Sequence, residues 1–239
     1  MLPERKNSLA TELEARLGEL IPGARLNWQS VPGTSLRGFF IDERAATRPL
    51  PEDRVAKVMD APPFWSLLWP AGCRLCQLLC SVPMTGRSCV DLGCGSGLVG
   101  VAALQAGAQS CLATDSDPVA LEAARVNAEG NGVELVTVER WSGDRCSTLF
   151  LADFLYDLSN LVTLSGLLEY AEEIVVMDSR LQVLPMEEFE FLGRCLAWAV
   201  PDLDPHREFG SLGFWYAGTR REVWADAFHV LEDRNAPTM

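Results

Sequence analysis

Apolar positions along this chain recur in two rhythms. Leu9, Leu13, Leu17 and Leu20 stand three or four apart with Glu12, Glu14, Arg16 and Glu19 between them. That spacing predicts an amphipathic helix ending before Pro22-Gly23. Residues 24–41 alternate loosely and close on Gly38-Phe39-Phe40-Ile41, which predicts a strand or hairpin of an accessory lobe. Residues 42–55 are charged and proline-containing and read as a linker. Pro62-Pro63 then opens an aromatic segment, with helical spacing through Leu75, Leu78 and Leu79. Beyond it, short apolar runs at 89–92, 110–114, 133–138, 147–152 and 173–177 take turns with helical patterns starting at Leu98, Val119 and Leu158. Residues 186–195 suit a helix, and 196–200 with 213–218 suit an antiparallel pair. This alternation predicts an α/β fold with a parallel core sheet and helices on both faces.

One strand-to-helix junction holds the candidate chemistry. The strand through Cys89, Val90 and Leu92 runs into Gly93, Gly95 and Gly97 and then into an apolar helix. Alternating glycines there allow positive φ and a close approach of ligand or helix to bare backbone. The helix N-terminus adds unpaired N–H groups. Two ligands compete. Gly95 to Gly100 fits G-x-G-x-x-G, with Asp115 20 residues beyond Gly95, as a dinucleotide site requires. The same stretch, Asp91-Leu92-Gly93-Cys94-Gly95-Ser96-Gly97, resembles the D-x-G-x-G-x-G signature of class I S-adenosylmethionine (SAM) methyltransferases. An acid inside a strand is costly without a donor or cation beside it, and SAM brings an ammonium and a sulfonium where NAD brings a diphosphate. A bare turn with no ligand is the third reading.

Pro62-Pro63-Phe64-Trp65, then Trp69-Pro70 and Gly72, precede the glycine turn by about twenty residues. Together they resemble the family 16 protein-lysine methyltransferases, in particular the branch acting on the electron-transfer flavoprotein β-subunit and its bacterial relatives. The resemblance spans roughly residues 50–220. It implies a seven-stranded Rossmann-like class I methyltransferase sheet with a reversed last strand. It implies that SAM is held by Gly93, Cys94, Gly95 and Gly97, with Asp91 at its amino-acid end and Asp115 on its ribose. Trp69 would lie against the cofactor, Trp141 near adenine, and Ala152 at the tip of the fourth strand. Asp153-Phe154-Leu155-Tyr156 resembles the family's Asp-x-x-Tyr signature, which places Asp153 and Tyr156 at the methyl-acceptor pocket as catalytic residues. Asp178-Ser179-Arg180 departs from the relatives' Asp-Pro-x-Arg by a serine. The implied partner is a protein presenting a lysine, with an electron-transfer flavoprotein subunit as the named instance.

Composition narrows the rest. The 239 residues suit an extension at 1–49 and a methyltransferase domain at 50–239. A formal charge of −13 opposes binding to nucleic acid or anionic membrane and suits a cationic partner. The start of the chain has no apolar signal core, and eight cysteines point to a reducing, cytoplasmic setting. Cys73, Cys76 and Cys80 line one helix face as core residues, and no metal site is expected. Methylation of a small amine, an NAD-dependent oxidoreductase and a non-catalytic SAM-binding module stay open as alternatives.

Overall fold

A computed structural model describes residues 3–156, 160–203 and 210–235. The chain begins with α1 (Pro3–Leu20) and an antiparallel hairpin of β1 (Leu26–Ser30) and β2 (Arg37–Ile41), as its pattern predicts. The charged stretch that follows is not a linker. It folds as α2 (Glu43–Ala46) and α3 (Glu52–Asp60). Local signals at the two N-termini favour helix, where composition suggested coil. The Asp42 carboxylate accepts the Ala45 N–H at 3.0 Å, while Pro51 precedes an acidic first turn, Glu52-Asp53.

The core continues through α4 (Pro70–Leu79), β3 (Ser88–Leu92), α5 (Leu98–Gln105), β4 (Ser110–Thr114), α6 (Pro118–Gly130), β5 (Val136–Val138) and β6 (Cys146–Ala152). It ends with α7 (Asn160–Leu167), β7 (Ala171–Asp178), β8 (Glu190–Leu196), β9 (Ser211–Ala217) and α8 (Arg221–Asn235). The seven-stranded sheet has the order β5-β4-β3-β6-β7-β9-β8, parallel from β5 to β7, with β9 antiparallel to both its neighbours. The fold is therefore the expected α/β sheet with a reversed last strand.

The expected helix at 186–195 is instead β8. A bulge between Phe191 and Gly193 breaks the strand's alternation and leaves buried Leu192 and Cys195 three residues apart, which imitates helical spacing. Nor do residues 196–200 form the paired strand. Leu196 ends β8, and Val200 makes only an isolated bridge to Leu68.

Successive residues of β7 serve opposite cores. Val175 and Met177 pack with Phe150, Phe214 and residues of α4, α5 and α8. Ile174 and Val176 pack with Leu149, Leu151 and Leu164 of α7. At the start of β7, buried Glu173 accepts from Thr148 Oγ1 and the Tyr216 hydroxyl, both at 2.7 Å. It also pairs with Arg87 and Arg220, which satisfies a carboxylate inside the sheet.

Helix α1 and the β1–β2 hairpin dock on α6. Leu13 and Leu17 share a core with Ala120, Ala123 and Val126. Asn127 Oδ1 accepts the Phe39 N–H at 2.7 Å, and Asn131 brackets Arg37 by accepting its N–H and donating to its carbonyl. A Cβ on Gly130 would stand 1.9 Å from the Trp28 ring, so the bare glycine makes room for it. Among the described residues, no helix is long and apolar enough to cross a membrane.

Candidate functional site

The strand order reverses at β3, whose neighbours are β4 and β6, and a crevice opens beyond the carboxyl ends of these strands. A cleft of about 950 Å³ occupies it. Its floor is the glycine turn, where Gly93, Gly95 and Gly97 all have positive φ. Backbone N–H groups of Gly93 and Cys94 donate to the Thr114 carbonyl at 2.8 and 3.0 Å. The Asp115 carboxylate completes the join by accepting the Gly95 N–H at 2.9 Å and the Asp117 N–H at 3.0 Å. Each Asp115 oxygen thus accepts a backbone donor while the carboxylate lines the cleft. Burial pushes the Asp115 pKa up.

The three glycines have different surroundings. A Cβ at Gly95 would meet nothing within 4 Å, so that backbone lies open to the cleft. A Cβ at Gly93 would stand 2.8 Å from the Phe154 ring, and one at Gly97 would stand 2.4 Å from Ala124 Cβ. Gly97 therefore serves the contact between α5 and α6.

Of the residues singled out from sequence, Trp69, Gly93, Gly95, Asp115, Trp141, Ala152 and Asp153 line the cleft. Asp91, Cys94 and Gly97 are not part of its wall. Asp91 is 1% exposed and accepts the Gly100 N–H at 2.9 Å, bracing the first turn of α5 from below. Burial, partly offset by that hydrogen bond, pushes its pKa up to about 7. Cys94 is buried, and burial raises its thiol pKa.

The Asp91 shift fixes the sign of a pH effect. A carboxyl that titrates at 3.8 unfolded and about 7 folded binds more protons in the native state between those values. Its contribution to stability is present below pH 3.8 and is lost as pH rises through about 7. Asp91→Asn keeps an oxygen for the Gly100 N–H and removes the charge. The variant should lose part of the parent's decline in thermal stability between pH 4 and pH 8, by a few kcal/mol at pH 8 (about 1.4 kcal/mol per pKa unit). Parallel melting-temperature profiles for parent and variant would contradict this.

At the other end of the cleft, two aspartates cross between the tips of β6 and β7. Asp153 Oδ2 accepts the Ala71 N–H at 2.9 Å, while its Oδ1 accepts the Ser179 N–H at 3.0 Å and hydroxyl at 2.7 Å. Asp178 in turn accepts the N–H groups of Leu155, Arg180 and Leu181. Asp153 holds a positive φ of 47°, uncommon for a residue with a side chain. Burial, opposed by these donors, pushes its pKa up to about 6. Tyr156 closes a 3₁₀ turn over Phe154–Tyr156, and its side chain lies outside the described residues.

The structure adds walls that no local motif announced. Arg16 and Leu20 of α1 line the cleft with Asp60 and Ala61, beside Pro62, Phe64 and Trp65 of the aromatic motif. Arg16 is held by Glu122 of α6 at 3.3 Å. Trp69 donates from Nε1 to the Phe64 carbonyl at 3.1 Å and meets the Phe64 ring edge-on. Of the three clustered cysteines, Cys73 and Cys76 are buried, while Cys80 is exposed at the end of α4.

Residues 73–150, from α4 to β6, match the family ribosomal protein L11 methyltransferase (PrmA). The ribosomal protein L11 methyltransferase of Escherichia coli O1:K1 is 40% identical over 88 residues, which cover 36% of this chain and 30% of that protein. The chain thus spans less than a third of the length of the curated relatives it matches. Among solved structures, a protein from Pyrococcus horikoshii described as a candidate RNA methyltransferase superposes with a TM-score of 0.51 at 15% identity. It covers 72% of this chain and 99% of its own. A ribosomal protein L11 methylase from Lactobacillus delbrueckii gives 0.48 at 18% identity, covering 63% and 79%. The fold is that of class I methyltransferases, whose cofactor is SAM.

Proposed function

We propose that this protein transfers the methyl group of SAM to a lysine amine on another protein. The observation that carries the cofactor is the cleft at the strand reversal, where the open backbone of Gly95 is joined to the Asp115 carboxylate. Its wall holds Asp60, Asp115, Asp117, Glu139, Asp153 and Asp178 against Arg16, Arg140 and Arg180. An excess of carboxylates fits a ligand with an ammonium and a sulfonium and repels a diphosphate, which disfavours NAD.

SAM supplies a methyl group already activated on sulfur. What remains for the protein is to align the acceptor with the C–S bond, exclude water and leave the amine neutral. Asp115 would accept from the ribose hydroxyls, Gly93 and Gly95 would lie along the cofactor, and Trp69 and Trp141 would supply aromatic walls. Ala152 leaves space at the tip of β6. Asp91, Cys94 and Gly97 would act through the loop they support. Asp153, which accepts three donors, would position Ala71 and Ser179 around the acceptor, and Tyr156 would wall the acceptor pocket. Residues 50–239 would form the transferase and residues 1–49 an extension that adds Arg16 and Leu20 to its cleft.

A protein acceptor is supported by two likenesses, to enzymes named for ribosomal protein L11 and to the family 16 lysine methyltransferases. The electron-transfer flavoprotein β-subunit and L11 are accordingly the first acceptors to assay. Free cysteines suit a reducing, cytoplasmic compartment.

Calorimetric titration with SAM, S-adenosylhomocysteine and NAD tests the cofactor. Asp115→Ala should weaken the first two by about tenfold to a hundredfold, the equivalent of losing one charged hydrogen bond. Unchanged affinity, or tighter binding of NAD than of SAM, would remove the assignment. Mass spectrometry of proteins labelled from methyl-tritiated SAM tests the acceptor, and label on arginine would exclude lysine.

A further inference from the structure

Asn127 and Asn131 stand one turn apart on α6 and accept from the same strand, β2. The hairpin's own ladder explains why. The Val31 N–H donates to the Leu36 carbonyl and the Asp42 N–H to the Arg25 carbonyl, in one register with the pairs between them. Hydrogen-bonded pairs alternate along such a ladder, and Ser30–Arg37 and Trp28–Phe39 are the pairs without bonds. The Arg37 and Phe39 N–H groups therefore point away from β1, and Asn131 and Asn127 accept them at 2.9 and 2.7 Å.

The two asparagines use their nitrogens differently. Asn131 Nδ2 donates back to the Arg37 carbonyl at 2.6 Å and to the Asn127 carbonyl at 2.7 Å. Asn127 Nδ2 instead donates to the Ser96 carbonyl at 2.8 Å. Ser96 is buried between Gly95, whose backbone is open to the cleft, and Gly97, which packs on Ala124. Asn127 is fully buried, so water cannot replace either of its bonds. A flipped amide would set nitrogen against the Phe39 N–H and oxygen against the Ser96 carbonyl, so hairpin and turn together fix its direction. Asp115 thus anchors the turn by the Gly95 N–H, and Asn127 anchors it by the Ser96 carbonyl. We propose that Asn127 is a positioning residue for the cofactor: it relays the β1–β2 hairpin to the glycine turn, so that residues 1–49 help hold the backbone that SAM meets. The assignment rests on the SAM-binding reading above.

The test uses full-length Phe39→Ala, Phe39→Pro and Asn127→Ala, none of which changes the cleft wall. Both changes at 39 remove the ring that meets Trp28. Only proline also removes the N–H, and it takes no bond of the β1–β2 ladder with it. The readout is calorimetric SAM affinity well below each melting temperature, with circular dichroism melts beside it. Asn127→Ala should bind SAM about tenfold more weakly than the parent, and Phe39→Pro about threefold to tenfold, the scale of one hydrogen bond. Phe39→Ala should melt lower yet bind as the parent does. Parent affinity in Asn127→Ala or Phe39→Pro, or an equal loss in Phe39→Ala, would overturn the relay and leave SAM binding standing. Should Asn127→Ala not fold, the two variants at 39 carry the test. Failure of the parent to bind SAM would overturn both readings.

Discussion

Gly97→Ala should destabilise the whole protein, and Gly95→Val should leave it folded but unable to bind SAM. The two glycines stand two residues apart in one motif with similar backbone conformations, at φ 73° and 49°. Their surroundings differ. At Gly97 a methyl group would lie 2.4 Å from Ala124 Cβ and 2.8 Å from its Cα, so α5 and α6 must move apart. Left-handed strain and overpacking together should cost roughly 3–5 kcal/mol. For a domain of this size that lowers the melting temperature by roughly 10 °C. At Gly95 no atom lies within 4 Å of the added Cβ, so the fold bears little beyond the backbone strain. The branched side chain would instead stand where the cofactor must meet the loop. Circular dichroism melts and SAM titration of both variants separate the two outcomes. A stable Gly97→Ala protein, or a Gly95→Val protein that binds SAM normally, would show that these glycines have been given the wrong jobs.

Asp153→Ala should lower methyl transfer at least about a hundredfold, the scale of a misplaced reacting group. It should also lower stability. The carboxylate holds three donors, two of them backbone N–H groups from separate elements, and alanine would leave all three without it. Unsatisfied buried donors cost about 1–3 kcal/mol each, reduced here because a desolvated charge is removed as well. Proline, which the related pattern carries at position 179, has no N–H or hydroxyl to offer this carboxylate. The serine of this chain provides both. Ser179→Ala should therefore reproduce part of both effects, since it removes one donor and keeps the other two. A direct role for Asp153 at the acceptor predicts something else: lost transfer in Asp153→Ala at an unchanged melting temperature, with Ser179→Ala fully active. Measuring transfer, melting temperature and SAM affinity for both variants decides between them.

What the sequence determined by itself was whatever short-range periodicity and local turn chemistry encode. The leucines at 9, 13, 17 and 20, the apolar runs of the central strands and the glycine turn all act within a few residues. Each could be read there because nothing distant changes its meaning. The acid at the tip of the second core strand was placed by the same logic.

Tertiary structure decided where a local rule gave two answers or none. A bulge in β8 turned a strand into an imitation of a helix, and only pairing with β9 resolves it. The motif D-x-G-x-G-x-G does not reveal that Gly95 faces the cleft while Gly97 faces Ala124, since that depends on a helix whose residues lie far along the chain. Nor does Asp-x-x-Tyr reveal which donors hold the aspartate, because its partners Ala71 and Ser179 come from α4 and the end of β7. Side-chain roles at this site are set by contacts between remote segments, and only the folded chain brings those segments together.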